Sequence, residues 1–271
     1  MSNPVGIKIG TLGSAATFAG EATARIRQLH PEFSQPVYFK SMDDCWAELK
    51  KGTVDAVVLG VERTGQPNHG DAVITHGFYV MGYLAVPLSC NLYVKPGSAK
   101  RDIRKITGHG SINQCLAYLD RQFPGVPREM HGLNSVEAAK AVMAGDGTLA
   151  VVGSSSLPSA VPGLEKIAEH IDDGAVASWW VISREPHFSE HPQGLVISGE
   201  FGPDGQLGAL IAAILALGYR LTSVAPFPAD HGVSVYNYLV TFEGRGNRAD
   251  VAAAVSRFAT ARLAGAFEKR G

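Results

Sequence analysis

"VDAVVLG", residues 54–60, carries the unbroken apolar run Ala56–Gly60, with two valines side by side. An uninterrupted run of this length is the mark of a strand covered on both faces, as in a parallel sheet flanked by helices. What precedes it fits. Ser41 stands three residues before Asp44, a capping-box-like start for a helix over "MDDCWAELKK", and Gly52 closes that helix. Upstream, "GIKIG" (6–10) is a short β run, "TLGSAAT" a glycine-containing turn, and Phe18, Ala22, Ile26 and Leu29 mark one face of a helix. "PVYFK" (36–40) is the next strand. Strands alternating with helices in this way predict an α/β fold.

A second series begins near residue 84. It runs through "LAVPLSCNLYV", a helix near 111–122, a strand at 127–131, the helix "SVEAAKAVMAG" (135–145) and the strand "LAVVG" (149–153). The chain then crosses "GLEKIAEHI" and reaches the strand around Trp179 and Trp180. The expected arrangement is one lobe from 1–83 and 157–185 and a second from 84–156, with ligand bound at loops after strand ends. "SREPHFSEHPQG" (183–194) reads as a linker. Beyond it, 194–271 gives the order β-α-β-β-α-β, a ferredoxin-like unit.

Composition excludes several classes. The 271 residues are 45% hydrophobic and 18% charged, with a formal net charge of −1. That is a globular chain, with no basic run to suit nucleic acid or an anionic membrane. "LGALIAAILALGY" (207–219) is too short to span a bilayer and is expected to be a buried helix. No charged segment followed by an apolar one opens the chain, so no secretory signal is expected. Cys45, Cys90 and Cys115 form no CxxC, and buried thiols in a reducing cytoplasm are expected. His187 and His191 are flanked by Pro186 and Pro192, which speaks against a helical metal pair. No metal and no cofactor are expected.

Short stretches carry a more specific signal. "GSAATFA" (13–19) keeps Gly13, Thr17 and Phe18 of a Gly-Pro-x-Gly-Thr-Phe-Ser signature. "ERT" (62–64) falls on Glu-Asn-Ser, "GHGSINQC" (108–115) on His-Pro-Gln…Gln-Cys, and "NSVEAA" (134–139) on Ser-Thr-x-x-Ala-Ala. "SWW" (178–180) falls on Thr-Arg-Phe, and Gly208, Ala209 and Leu210 keep Gly-Ala-Leu. By these motifs the chain resembles the prephenate dehydratases, whose two-lobed, type II periplasmic-binding-protein-like catalytic domain precedes an ACT domain. The resemblance implies a prephenate dehydratase-like domain over 1–185 and an ACT-like domain over 194–271. It implies a homodimer or homotetramer and a small dicarboxylate or aromatic metabolite as ligand.

The reaction it implies expels carbon dioxide and water from a cyclohexadienyl dicarboxylate such as prephenate. The protein must hold a dianion and give the leaving hydroxyl a proton or strong hydrogen bond. Ser178 keeps the hydroxyl of the family's catalytic threonine, and Thr17 and Glu62 are the other candidates for catalysis. Thr17 reads equally as a helix N-cap. Substrate contacts are expected from Arg63, Thr64, His109, Ser135, Ser154, Trp179 and Trp180. Ser135 also reads as the N-cap of its helix, and Ser154–Ser156 as a capping turn. Alternation along the strand sends Trp179 and Trp180 to opposite faces, so one is expected in the core and the other on a pocket wall.

Departures from the family are equally specific. Trp179 stands where the family has arginine and Arg63 where it has asparagine, which suggests that the anion-binding charge has migrated. Glu-Ser-Arg-Pro has become Ala225, Pro226, Phe227 and Pro228, which implies weak phenylalanine binding. Two alternatives to the dehydratase stay open: a non-aromatising prephenate decarboxylase and a non-enzymatic sensor of an aromatic metabolite.

Overall fold

The computed structural model describes residues 6–63, 66–67, 72–132, 134–202, 204–229 and 235–269. The chain first forms β1 (Ile9–Leu12), α1 (Phe18–Leu29), β2 (Val37–Phe39), α2 (Met42–Lys51), β3 (Ala56–Arg63), β4 (Gln66–Pro67), α3 (Ala72–Thr75) and β5 (Tyr79–Pro87). Next come β6 (Asn91–Val94), β7 (Lys105–Gly108), α4 (Leu116–Gln122), β8 (Arg128–Met130), α5 (Ser135–Ala144), β9 (Leu149–Gly153), α6 (Leu157–Ala160), β10 (Glu165–Ala168) and β11 (Val176–Ser183). Last are β12 (Gly194–Phe201), α7 (Gln206–Ala216), β13 (Arg220–Pro228), β14 (Tyr236–Glu243), α8 (Arg248–Val255) and β15 (Ala261–Phe267). The fold is α/β, with its strands gathered into two sheets.

Local signals act as their chemistry dictates. Ser41 Oγ accepts from the Asp44 amide at 3.1 Å, and Asp43 and Asp44 lie in the first turn of α2, at the positive end of its dipole. Gly52 ends the helix at φ +77, a conformation that favours glycine. In β3, Ala56, Val57, Val58 and Leu59 are fully buried, as a strand covered on both faces requires.

Contacts divide the chain into two compact units. The first comprises Met1–Glu48, Arg63–Gly65 and Ala85–Ala177, and the second Leu49–Glu62, Gln66–Leu84 and Ser178–Gly271. In the first, β1 runs parallel to β2, and a five-stranded sheet has the order β10-β6-β9-β7-β8. Strand β7 is parallel to both β8 and β9. Ala138, Ala139 and Val142 of α5 pack with Tyr93, Val151 and Leu157 to form its core.

In the second unit the strands are hydrogen-bonded in the order β13-β14-β12-β15-β5-β11-β3. Strands β12, β13, β14 and β15 with α7 and α8 form the βαββαβ ferredoxin-like arrangement. Its core joins Leu210 and Ile214 of α7 and Val251 of α8 to Leu195, Ile197, Val240 and Phe242 of the strands. Each such aliphatic side chain contributes roughly 1.5–3 kcal/mol when removed from water. Helix α7 differs from expectation. Only Leu210 and Ile214 of it are buried, and Leu215 is 44% exposed. The sheet covers one face of this helix, so an all-round apolar sequence leaves an apolar outer face. Among the described residues no helix is long and apolar enough to cross a membrane.

Candidate functional site

In the first unit the turn after β1 sets the geometry. Gly13 has φ +88, and a Cβ there would lie 3.0 Å from Thr17 Oγ1. The Thr17 hydroxyl donates to the Ser14 carbonyl at 2.7 Å and accepts from the Gly20 amide at 3.2 Å. Thr17 is therefore the N-cap of α1, and its proton is committed within its own turn. Ser14 Oγ is buried with no hydrogen-bond partner among the described residues.

The turn after β9 meets this one. Ser154 is fully buried, and its Oγ lies 3.3 Å from the Ala16 carbonyl and 3.1 Å from Ser156 Oγ. Ser156 donates from its amide (3.1 Å) and its hydroxyl (2.5 Å) to Glu21 Oε1 on the first turn of α1. Gly108 pairs with Val152 across the parallel strands, so His109 and Ser154 leave the sheet at the same end. The turn after β7 also holds Ser111, whose buried Oγ has no partner among the described residues. Unpartnered hydroxyls beside turn amides are donors suited to a carboxylate.

Ser135 is a correction. It is buried as the first residue of α5, but the cap is Asn134, whose Oδ1 accepts from the amides of Val136 and Glu137. The backbone at Asn134 is extended, with φ −163 and ψ 175, as a cap requires. Neighbouring residues both have capping side chains, and the backbone decides between them.

The second unit holds Ser178 on β11. It is buried, and its Oγ lies 3.0 Å from the hydroxyl of Tyr83 on β5. Trp179 and Trp180 are 7% and 6% exposed, so both are buried. The strand is buried from Ala177 to Ser183, so neither of its faces is open to solvent there. Alternation puts Trp180 on the Ser178 face and Trp179 on the other. Trp179 Nε1 is buried without a partner among the described residues.

Tyr83 is tied to the end of β15. Its ring lies parallel to Phe267, at 6.1 Å and 9°, and the Lys269 ammonium lies 4.4 Å from its centroid. Lys269 and Arg220 both bond to Glu243. The Lys269 hydrogen bond foremost, with help from Arg220, holds the Glu243 carboxyl below the usual carboxylate range. These residues border a groove of about 380 Å³ with Gln193, Gly218, Gly244 and Arg245. A neighbouring cavity of about 570 Å³ adds His191, Gly246 and Glu268.

Three candidates escape description. Thr64 lies outside the described residues, and of Glu62 and Arg63 only the backbone, at the end of β3, is described. Gly208, Ala209 and Leu210 lie in α7, where Leu210 is in the core and the other two are exposed. Ala225–Pro228 form the end of β13. Among the described residues no group of three or more His, Cys, Asp or Glu side chains is placed to hold a metal ion. Sequence patterns did not single out Tyr83 or Glu21. Tyr83 meets a residue 95 positions away and Glu21 one 135 positions away, and neither distance leaves a local trace.

Comparisons with known proteins agree on a family. A sequence model described as prephenate dehydratase matches residues 9–187. Prephenate dehydratase of Bacillus subtilis (strain 168) is 31% identical over 140 residues, which is 49% of this chain and 47% of that protein. This alignment thus spans about half the length of that curated relative. Among solved structures, prephenate dehydratase from Arthrobacter aurescens in complex with L-Phe superposes with a TM-score of 0.79 at 19% identity, covering 97% of this chain and 90% of that one. The enzyme from Staphylococcus aureus subsp. aureus Mu50 gives 0.71 at 16%, covering 96% and 99%. GqqA, described as a novel type of quorum quenching acylase, gives 0.76 at 17%, covering 97% and 98%. At such identities the likeness is one of fold, and that fold is shared by proteins described with different activities.

Proposed function

Because this chain belongs to the prephenate dehydratase family, we propose that it is a carbon–oxygen lyase acting on prephenate or a related cyclohexadienyl carboxylate. The observation that carries the proposal is Ser178, a buried hydroxyl inside the matched segment with a second hydroxyl 3.0 Å away. In the proposed step the bond between ring and carboxylate breaks, and carbon dioxide departs. Its electron pair becomes a ring π bond as the carbon–oxygen bond to the ring hydroxyl breaks. The leaving oxygen takes a proton from the Ser178 side and departs as water, and the ring becomes aromatic. A hydroxyl placed for this transfer is worth about 10²–10⁴-fold in rate.

A dianionic substrate also needs donors for its carboxylates. Arg63, Thr64, His109, Ser135, Ser154, Trp179 and Trp180 are proposed for binding, and Glu62, together with Ser178, for catalysis. The Thr17 bonds support a shaping role, since they hold the turn that carries Ser14. A cytoplasmic setting is proposed with the lyase.

The test is incubation of the purified chain with prephenate. Phenylpyruvate, read by its absorbance in alkali, is expected, and Ser178→Ala should lower kcat about 10²–10⁴-fold with KM little changed. A decarboxylated product that is not aromatic would establish the decarboxylase instead. Binding without turnover would establish the sensor.

A further inference from the structure

Ser178 and Tyr83 lie on adjacent strands of the second unit, β11 and β5. Among the described residues each hydroxyl has the other as its hydrogen-bond partner and no further one. The pair carries two O–H protons, and the bond between them uses one. A phenol is the more acidic donor, and an aliphatic hydroxyl oxygen the better acceptor. Either hydroxyl can donate at this distance, and acidity favours donation from Tyr83 to Ser178 Oγ, which leaves the Ser178 proton for another acceptor. The Lys269 ammonium, 4.4 Å from the ring centroid, draws on the ring's electrons and favours the same direction.

The phenol is held in place from several sides. Phe267 lies parallel to its ring, and the Tyr83 backbone bridges that of Lys269. The Lys269 amide donates to Gln193 Oε1 at 3.0 Å, and its ammonium is bonded to Glu243. We propose that Tyr83 is a positioning residue, whose hydroxyl aims and strengthens Ser178 as a donor to an oxygen of the substrate. In the lyase reading, on which this inference rests, that oxygen is the leaving hydroxyl. Hydrogen bonds in series polarise one another, so a hydroxyl that accepts from a phenol donates more strongly.

The experiment uses the full chain with Tyr83→Phe, Ser178→Ala and the double variant. Phenylalanine keeps the ring, so packing on Phe267 and the contact with Lys269 survive. With prephenate, Tyr83→Phe should lower kcat about tenfold, the worth of one hydrogen bond, and leave KM unchanged. The double variant should be no slower than Ser178→Ala. An unchanged kcat in Tyr83→Phe, or losses that multiply in the double variant, would overturn the inference. A second arm needs no turnover. With ring-deuterated tyrosine, the phenol C–O stretch of Tyr83 appears in the infrared difference between wild type and Tyr83→Phe. The same difference taken in the Ser178→Ala background should be shifted. Absence of phenylpyruvate from the wild type overturns the lyase reading, and the infrared arm still decides the pairing: a shifted band supports it, an unmoved one overturns it.

Discussion

Cys45 shows how a single residue couples burial to pH. It is fully buried on α2, and burial first, then the Asp44 charge, pushes its thiol up to about 12. Unfolded cysteine ionises near pH 8.5. Above that pH the unfolded chain releases a proton that the folded chain keeps. The sign is thus a stability fully present below about pH 8.5 and lost as pH rises toward the folded value. Between pH 8 and 9.5 the loss attributable to Cys45 should be about 1 kcal/mol. Urea midpoints at the two pH values check this, because Cys45→Ala should flatten the dependence by that amount. Buried Tyr93 and Tyr219, also raised by burial, act in the same direction in both proteins, so the comparison isolates the thiol.

At the scale of the element, α1 sets two effects against each other. Gly20 lies inside the helix, where glycine costs about 1 kcal/mol relative to alanine. Propensity alone therefore expects Gly20→Ala to stabilise. A Cβ at Gly20, however, would lie 2.2 Å from the Ser14 carbonyl oxygen and 2.7 Å from Ala15 Cα. Both are backbone atoms of the turn that Thr17 holds, so neither yields by rotating a side chain. Overpacking typically costs about 1–3 kcal/mol and here exceeds the propensity gain. Chemical denaturation should show Gly20→Ala destabilised. Thr17→Ala should lose about 1 kcal/mol through the cap alone. A stabilised Gly20→Ala would mean that the turn is free to move away from the helix.

For the whole molecule, the ferredoxin-like arrangement leaves apolar surface uncovered. Leu215 of α7 is 44% exposed, and Leu221 and Val224 on β13 are 39% and 38% exposed. Strand β13 is the edge of its sheet, and Pro226 and Pro228 remove amides that a pairing strand would need. The outer face of α7 is therefore the better surface for a second copy of the chain. A homodimer or homotetramer is expected in light scattering, and Leu215→Glu should shift it toward monomer without loss of helix signal. A wild-type chain that stays monomeric at every concentration would refute the expectation.

The amino-acid sequence by itself determined the local elements. Covalent geometry gives strands and helices different side-chain periods, and glycine and capping residues mark their ends. Hence the order over 194–267, the buried β3 and the cap of α2 were all legible before the structure. So was the hydroxyl at Ser178, through its place in a short motif. Strand β10, within "GLEKIAEHI", carries too little alternation to announce itself and is a strand through its pairing with β6. Only the tertiary structure decided which stretches fold together, with 49–62 and 66–84 joining 178–271. It alone chose Asn134 over Ser135 as cap, left one face of α7 open, and set Tyr83 against Ser178. Those outcomes depend on contacts between residues far apart in the chain. Such contacts form by closing long loops against chain entropy, and no spacing along the sequence records which of them close.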